Sequence, residues 1–110
     1  MKKKTNIEIQ IGLNENKVPK EIKWTADDSD VKDSPAKAML LSLWDEEKQH
    51  TLKIDLWTTE MQVDEMKQFF HQTLLTMADT FERATGENLI MEDLRDYCAH
   101  FADKMEIKKK

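Results

Sequence analysis

Cys98 and His100 stand two residues apart near the end of the chain, with Asp96 close by and His71 in an earlier stretch of helical spacing. Such a set could supply a thiol–imidazole pair or part of a metal site. Two residues apart on a helix, however, side chains point to different faces. A zinc site needs three or four converging ligands, and neither CxxC nor HExxH occurs. The simpler reading is a buried structural cysteine beside a surface histidine. The acid pairs Asp27 with Asp28 and Glu46 with Glu47 have no companion base and no burying pocket in prospect, so they read as solvated loop charges. Asp27, Asp28, Asp30 and Asp33 have the density of a calcium loop but lack its central glycine and closing glutamate.

Cofactor chemistry has as little to work with. The 110 residues contain two glycines, Gly12 and Gly86, too far apart for a Walker loop or a dinucleotide fingerprint, and no G-x-S-x-G elbow. No catalytic, cofactor-binding or metal-ligating residue is therefore assigned, and the expectation is a protein that is not an enzyme. One cysteine allows no internal disulfide and fits a reducing compartment. The opening lysines are followed by Thr5-Asn6-Ile7-Glu8 where a signal peptide would place its apolar region, and no run approaches the roughly 20 apolar residues of a membrane span. A soluble, cytoplasmic protein is expected.

Charge narrows the partners. There are 22 acidic and 17 basic residues, for a net charge of −5. Lys2 to Lys4 and Lys108 to Lys110 read as lysine-rich flexible ends; without those six the body carries 11 basic against 22 acidic residues. A nucleic-acid-binding body would need a basic stripe instead. The length fits a single domain over residues 1–110.

The elements that must position any site follow from periodicity. Ile7, Ile9, Ile11 and Leu13 alternate with polar residues as a half-buried strand, and Asn14 to Pro19 breaks it. A short second strand carries Ile22 and Trp24 on one face, and Ala26 to Pro35, rich in aspartate, reads as an exposed loop. Ala38 to Trp44 is apolar on both faces, as in a strand covered on both sides. After a hairpin connection at Asp45 to Gln49, Thr51 to Trp57 alternates again with Leu52, Ile54 and Leu56 inward. Thr59 with Gln62 suggests a capping box for a helix whose inward stripe is Val63, Met66, Phe70, Leu74, Met77, Phe81 and Ala84, ended by Gly86. A last helix, capped at Asn88, uses Met91, Leu94, Tyr97, Cys98, Phe101 and Met105. Strands first and helices afterwards predict an α+β domain, a four-stranded antiparallel sheet followed by two helices in the order ββββαα.

Two surfaces stand out as binding candidates. Leu40, Trp44 and Trp57 lie on strand faces opposite Leu43 and Leu56, and two helices can cover only one face of a sheet. In the first helix, Phe69, Thr73, Thr76 and Thr80 form an uncharged stripe beside the apolar one, where a solvated helix would carry charges. Met66, Met77, Met91 and Met105 are better read as core than as a repackable client-binding surface.

The blocks Ala36-Lys37-Ala38-Met39-Leu40-Leu41-Ser42-Leu43-Trp44-Asp45, Leu52-Lys53-Ile54-Asp55-Leu56-Trp57-Thr58, Met66 through Leu74 and Met77 through Thr85 resemble the gliding motility protein GldC family of Bacteroidota. With the first strand and last helix the resemblance covers nearly the whole chain. It implies a small accessory protein of gliding motility, with no catalytic residues to carry over. The order of elements also resembles the export chaperone SecB, an acidic oligomer that binds unfolded clients along apolar grooves; this likeness rests on topology and charge. The expectation is thus a non-enzymatic, oligomeric interaction protein using Leu40, Trp44, Trp57, Phe69, Thr73 and Thr76. Its protein partner would belong to a gliding or secretion machinery, or be an unfolded client, with no nucleic acid, no membrane insertion and no cofactor.

Overall fold

The computed structural model describes residues 3–107. Lys2 and Lys108 to Lys110, which account for most of the expected lysine-rich ends, lie outside the described residues; Lys3 and Lys4 are exposed. The chain divides into two compact units, Met1–Met61 and Gln62–Lys110.

The first unit holds all the strands. β1 (Ile7–Leu13), β2 (Pro19–Ala26) and β3 (Val31–Ala36) form an antiparallel sheet in that order, while β4 (Ala38–Asp45) and β5 (His50–Trp57) form a separate antiparallel ribbon. The α+β class stands, with two helices after antiparallel strands. The single four-stranded sheet does not: among the described residues there are five strands in two sheets, three and two.

The added strand is β3, which occupies part of the segment expected to be a loop. After a 3-10 turn at Asp27–Ser29, Asp30 takes a left-handed conformation (φ 55°) and turns the chain back along β2. The sequence Val-Lys-Asp-Ser-Pro-Ala has neither alternation nor β-branched density, and Pro35 removes an amide donor, which only an edge strand tolerates. Pairing therefore depends on β2: Ile22 faces Ala36, Trp24 faces Ser34 and Ala26 faces Val31. The Thr25 hydroxyl also accepts the Asp33 amide at 3.0 Å where the register shifts.

The turns are built as their residue types suggest. Asn14 Oδ1 accepts the amides of Asn16 and Val18 at 2.8 and 3.0 Å, and Lys17 is left-handed (φ 62°). In the β4–β5 hairpin, Asp45 Oδ1 accepts the amides of Glu47 and Lys48 at 3.0 and 2.9 Å, and Gln49 supplies the positive φ that a glycine would usually give. Sheet and ribbon are joined at Lys37. Its carbonyl accepts the Thr58 amide at 2.8 Å, and the Thr59 amide donates to the Pro19 carbonyl at 3.2 Å. Thr58 is only 2% exposed, so the end of β5 is tied to both the β3–β4 junction and the start of β2.

Register sorts the sheet into two faces. Ile7, Ile9 and Ile11 lie opposite Ala26, Trp24 and Ile22, giving an apolar face, while Glu8, Gln10 and Lys23 point away. Ile22 is 2% exposed and Ala26 is buried, but the β1 isoleucines stay exposed.

The second unit is a helical hairpin of α1 (Val63–Thr85) and α2 (Leu89–Lys104). The capping box is formed by Gln62 and Glu65, three residues later than the expected Thr59 and Gln62, with the Gln62 amide donating to Glu65 Oε1 at 3.1 Å. Gly86 ends α1 in a left-handed conformation (φ 76°) and donates its amide to the Glu82 carbonyl at 2.8 Å. Asn88 occupies the cap position of α2 but makes no side-chain cap bond. Ala78 and Cys98 are fully buried, the His71 ring stacks on Phe101 with centroids 6.2 Å apart, and Arg95 reaches Glu82 and Asp79, each at 2.9 Å.

Among the described residues of the first unit, Ile22 is the one large aliphatic side chain that is almost completely buried. Ile22→Ala is expected to lower the unfolding free energy by about 2–5 kcal/mol, as for other large-to-small core changes. Urea denaturation followed by circular dichroism measures it, and a loss below about 1 kcal/mol would mean that Ile22 is not a core anchor.

Candidate interaction surfaces

The β4–β5 register decides what each ribbon face displays. Ala38, Leu40, Ser42 and Trp44 share a face with Trp57, Asp55, Lys53 and Thr51. Trp44 and Trp57 are therefore on one face with Leu40, at opposite ends of the ribbon, and are 68% and 57% exposed. Between them Lys53 and Asp55 form an ion pair at 3.2 Å. This face is mixed: aromatic at both ends, charged and hydroxylated in the middle.

The opposite face contains only aliphatic side chains until the hairpin end. Met39 pairs with Leu56, Leu41 with Ile54 and Leu43 with Leu52; polarity returns only at Asp45 and His50. Sequence periodicity placed these residues inward. In the structure Leu43, Leu52 and Ile54 are 56%, 47% and 52% exposed while Met39, Leu41 and Leu56 are half-buried, so the face expected to be core is exposed toward the hairpin end. The signal that could have revealed it is a count of apolar faces against elements able to cover them.

Helix α1 departs from expectation in the same way. The stripe that packs on α2 runs through His71, Leu75, Ala78 and Glu82. The expected inward stripe lies roughly 100° around the helix at 100° per residue. Val63, Phe70, Met77 and Phe81 on it are exposed, Met77 by 55%, so Met77 is surface and not core. Burial among neighbours on α2 was set by which face of α1 the hairpin turn brought round, which composition does not record.

The second stripe also has a distinctive chemistry. Phe69 and Thr73 are half-buried and Thr76 and Thr80 exposed. Thr76 Oγ1 donates to the Thr73 carbonyl at 2.9 Å, and Thr80 Oγ1 to the Thr76 carbonyl at 3.0 Å. The Thr76 and Thr80 hydroxyl protons are thus committed to their own backbone. Phe70, Met77 and Phe81 lie beside it, and the Arg83 guanidinium borders it, donating to Thr80 Oγ1 at 3.3 Å.

The titratable cluster offers no reactive centre. Cys98 is fully buried while His100 is exposed, and His71 is engaged with Phe101. Burial pushes the Cys98 thiol up, partly opposed by the charge of Arg95. Arg95 is itself held more firmly protonated, chiefly by its bond to Glu82 and then by that to Asp79. Among the described residues no group of three or more His, Cys, Asp or Glu side chains converges as a metal ion requires. Nor is any described helix long and apolar enough to cross a membrane.

Because folding raises the Cys98 pKa, the stability this contributes is complete below the ordinary thiol value of about 8.5 and is lost as pH rises through the folded value. At pH 8 a thiol reagent is expected to label Cys98 only as fast as the chain opens, and at once in urea. Labelling of native protein at the rate of a free thiol would contradict this placement.

Comparison with known proteins bears on these surfaces as a set. The family model described as "Gliding motility-associated protein GldC-like" matches residues 19–107, from the first residue of β2 past the end of α2. No curated protein and no solved structure gives a significant match. Since the matched region spans well over half of the 110 residues, the chain belongs to the GldC-like family of gliding motility-associated proteins.

Proposed function

We propose that the chain is a non-enzymatic, oligomeric accessory factor that serves gliding motility by binding other proteins through its open apolar surfaces. Membership of a gliding motility-associated family supports the setting. The mode of action rests on one observation, the amount of apolar surface left uncovered. In the first unit Ile7, Ile9 and Ile11 of β1 and Leu43, Leu52 and Ile54 of the ribbon are exposed, and in the second Phe70, Met77 and Phe81 of α1 are exposed. Large contiguous apolar surface on a folded protein marks sites of association.

Within this reading the Trp44/Trp57 face and the Phe69/Thr76 side of α1 are partner surfaces. Exposed tryptophans flanking a charged and hydroxylated centre have the make-up of a recognition interface. The exposed methionine and phenylalanines of α1 favour a second reading, a SecB-like holdase for exported or envelope proteins, because flexible thioethers repack against varied sequences.

Light scattering behind gel filtration is expected to give at least twice the 13.0 kDa chain mass. A strict monomer at all concentrations would sink the oligomeric reading. A holdase slows aggregation of an unrelated unfolded protein, whereas a dedicated adapter leaves it unchanged; Trp44→Glu and Phe69→Glu are expected to weaken whichever activity is present by tenfold or more, corresponding to about 1.4 kcal/mol.

A further inference from the structure

We infer that the outer edge of β1 is where a second copy of this chain joins, the two β1 strands pairing antiparallel about a two-fold axis at Ile9 to make one six-stranded sheet. The inference rests on the oligomeric reading above and names the strand that joins the copies.

β1 ends the three-stranded sheet and is hydrogen-bonded to β2 on one side alone. The Asp27 amide donates to the Asn6 carbonyl at 3.2 Å, just before Ile7 pairs with Ala26. Ladder bonds alternate along an antiparallel pair, so Glu8 and Gln10 direct their backbone groups to β2, and Ile7, Ile9 and Ile11 direct theirs outward. Among the described residues no hydrogen bond reaches those outward groups. Apolar side chains are satisfied by any apolar neighbour, but an amide and a carbonyl need a hydrogen-bonding partner. A helix spends its backbone groups on its own ladder and has none to offer an edge. Water or another strand does.

The other edge of the same sheet is blocked. Ile22 and Trp24 turn their backbone groups toward Ala36 and Ser34, so the intervening Pro35 faces outward with no amide to give. Asp33 is left-handed (φ 48°) and commits its amide to the Thr25 hydroxyl. β1 has no proline, and its register runs unbroken from Ile7 to Gly12. Sheets guard the edges they do not use. With one edge guarded and one unguarded, pairing at β1 closes at two copies and does not propagate into a fibre.

The strand also complements itself in this register. With the axis at Ile9, Ile7 meets Ile11 of the second copy, and each isoleucine pair exchanges two backbone bonds. Their side chains carry the apolar face across the axis. On the polar face Glu8 meets Gln10 of the second copy, so no two acids lie opposite, which matters for chains of net charge −5. These side chains already suit each other within the strand, where Gln10 Nε2 donates to Glu8 Oε1 at 3.1 Å. Moving the axis to residue 8 would set two Glu8 carboxylates against each other. Moving it to residue 10 would pair Ile7 with Leu13, past the irregularity at Gly12 and Leu13.

The test uses the full chain. Ile9→Pro removes an outward amide and no bond to β2, and is expected to halve the mass seen by light scattering while the circular dichroism stays that of the folded chain. If Ile9→Pro fails to fold, cysteines decide. Glu8→Cys and Gln10→Cys chains, refolded together from urea and mildly oxidised, are expected to cross-link to each other. Opposed residues of a non-hydrogen-bonded pair hold their Cα atoms about 4.5 Å apart, within disulfide reach. Neither variant alone is expected to cross-link, and the buried Cys98 stays unreactive. A folded Ile9→Pro chain that keeps the wild-type oligomer's mass, or a mixture no more cross-linked than either variant alone, overturns this assignment while the oligomeric reading stands. A wild-type chain that stays at 13.0 kDa overturns both.

Discussion

The apolar faces that register and helical spacing create, and how little of them each unit buries by itself, govern this structure. β1, the β4–β5 ribbon and α1 each present an apolar face or stripe, while among the described residues the buried apolar ones are Ile22 and Ala26 in the first unit and Ala78 and Cys98 in the second. A sheet or helix holds its conformation because its apolar side is removed from water, at roughly 25 cal/mol for each Å².

The hydrogen-bonded framework explains how such a chain still has defined geometry. The first unit is closed at Lys37 and Thr58, where backbone bonds lock the ribbon to the sheet, and its turns are set by Asn14 and Asp45 carbonyl and carboxylate oxygens. The second is closed by the Gln62/Glu65 box, the left-handed Gly86 and the fork of Arg95 onto α1. These devices fix register and orientation, and register determines which side chains share a face. Polar anchoring thus fixes, within each unit, which apolar side chains are displayed together.

Local signals were legible where a residue's type dictates its own backbone. The alternation of Ile7, Ile9, Ile11 and Leu13, the breaks at Asn14 to Pro19 and Asp45 to Gln49, the span of α1 and its stop at Gly86 all appear where the spacing places them. β3 was not legible, because Val31 to Ala36 is a strand only by virtue of its neighbour β2. The binding candidates divide similarly: Leu40, Trp44 and Trp57 do share one face, but the periodicity that made Leu52, Ile54 and Leu56 inward could not say that Leu56 would be half-buried and Leu52 and Ile54 exposed.

By itself the sequence determined the α+β class, the order of strands before helices, the absence of familiar catalytic motifs and the family, because these depend on periodicity, residue type and runs of matching residues. Only the tertiary structure decided the split into a three-stranded sheet and a two-stranded ribbon, the pairing that sorts tryptophans from aliphatics, and the face of α1 turned toward α2. Period two and period 3.6 state which residues travel together. Whether a face is covered is a relation between elements, set by register and by the sense of each turn, and no single element encodes it.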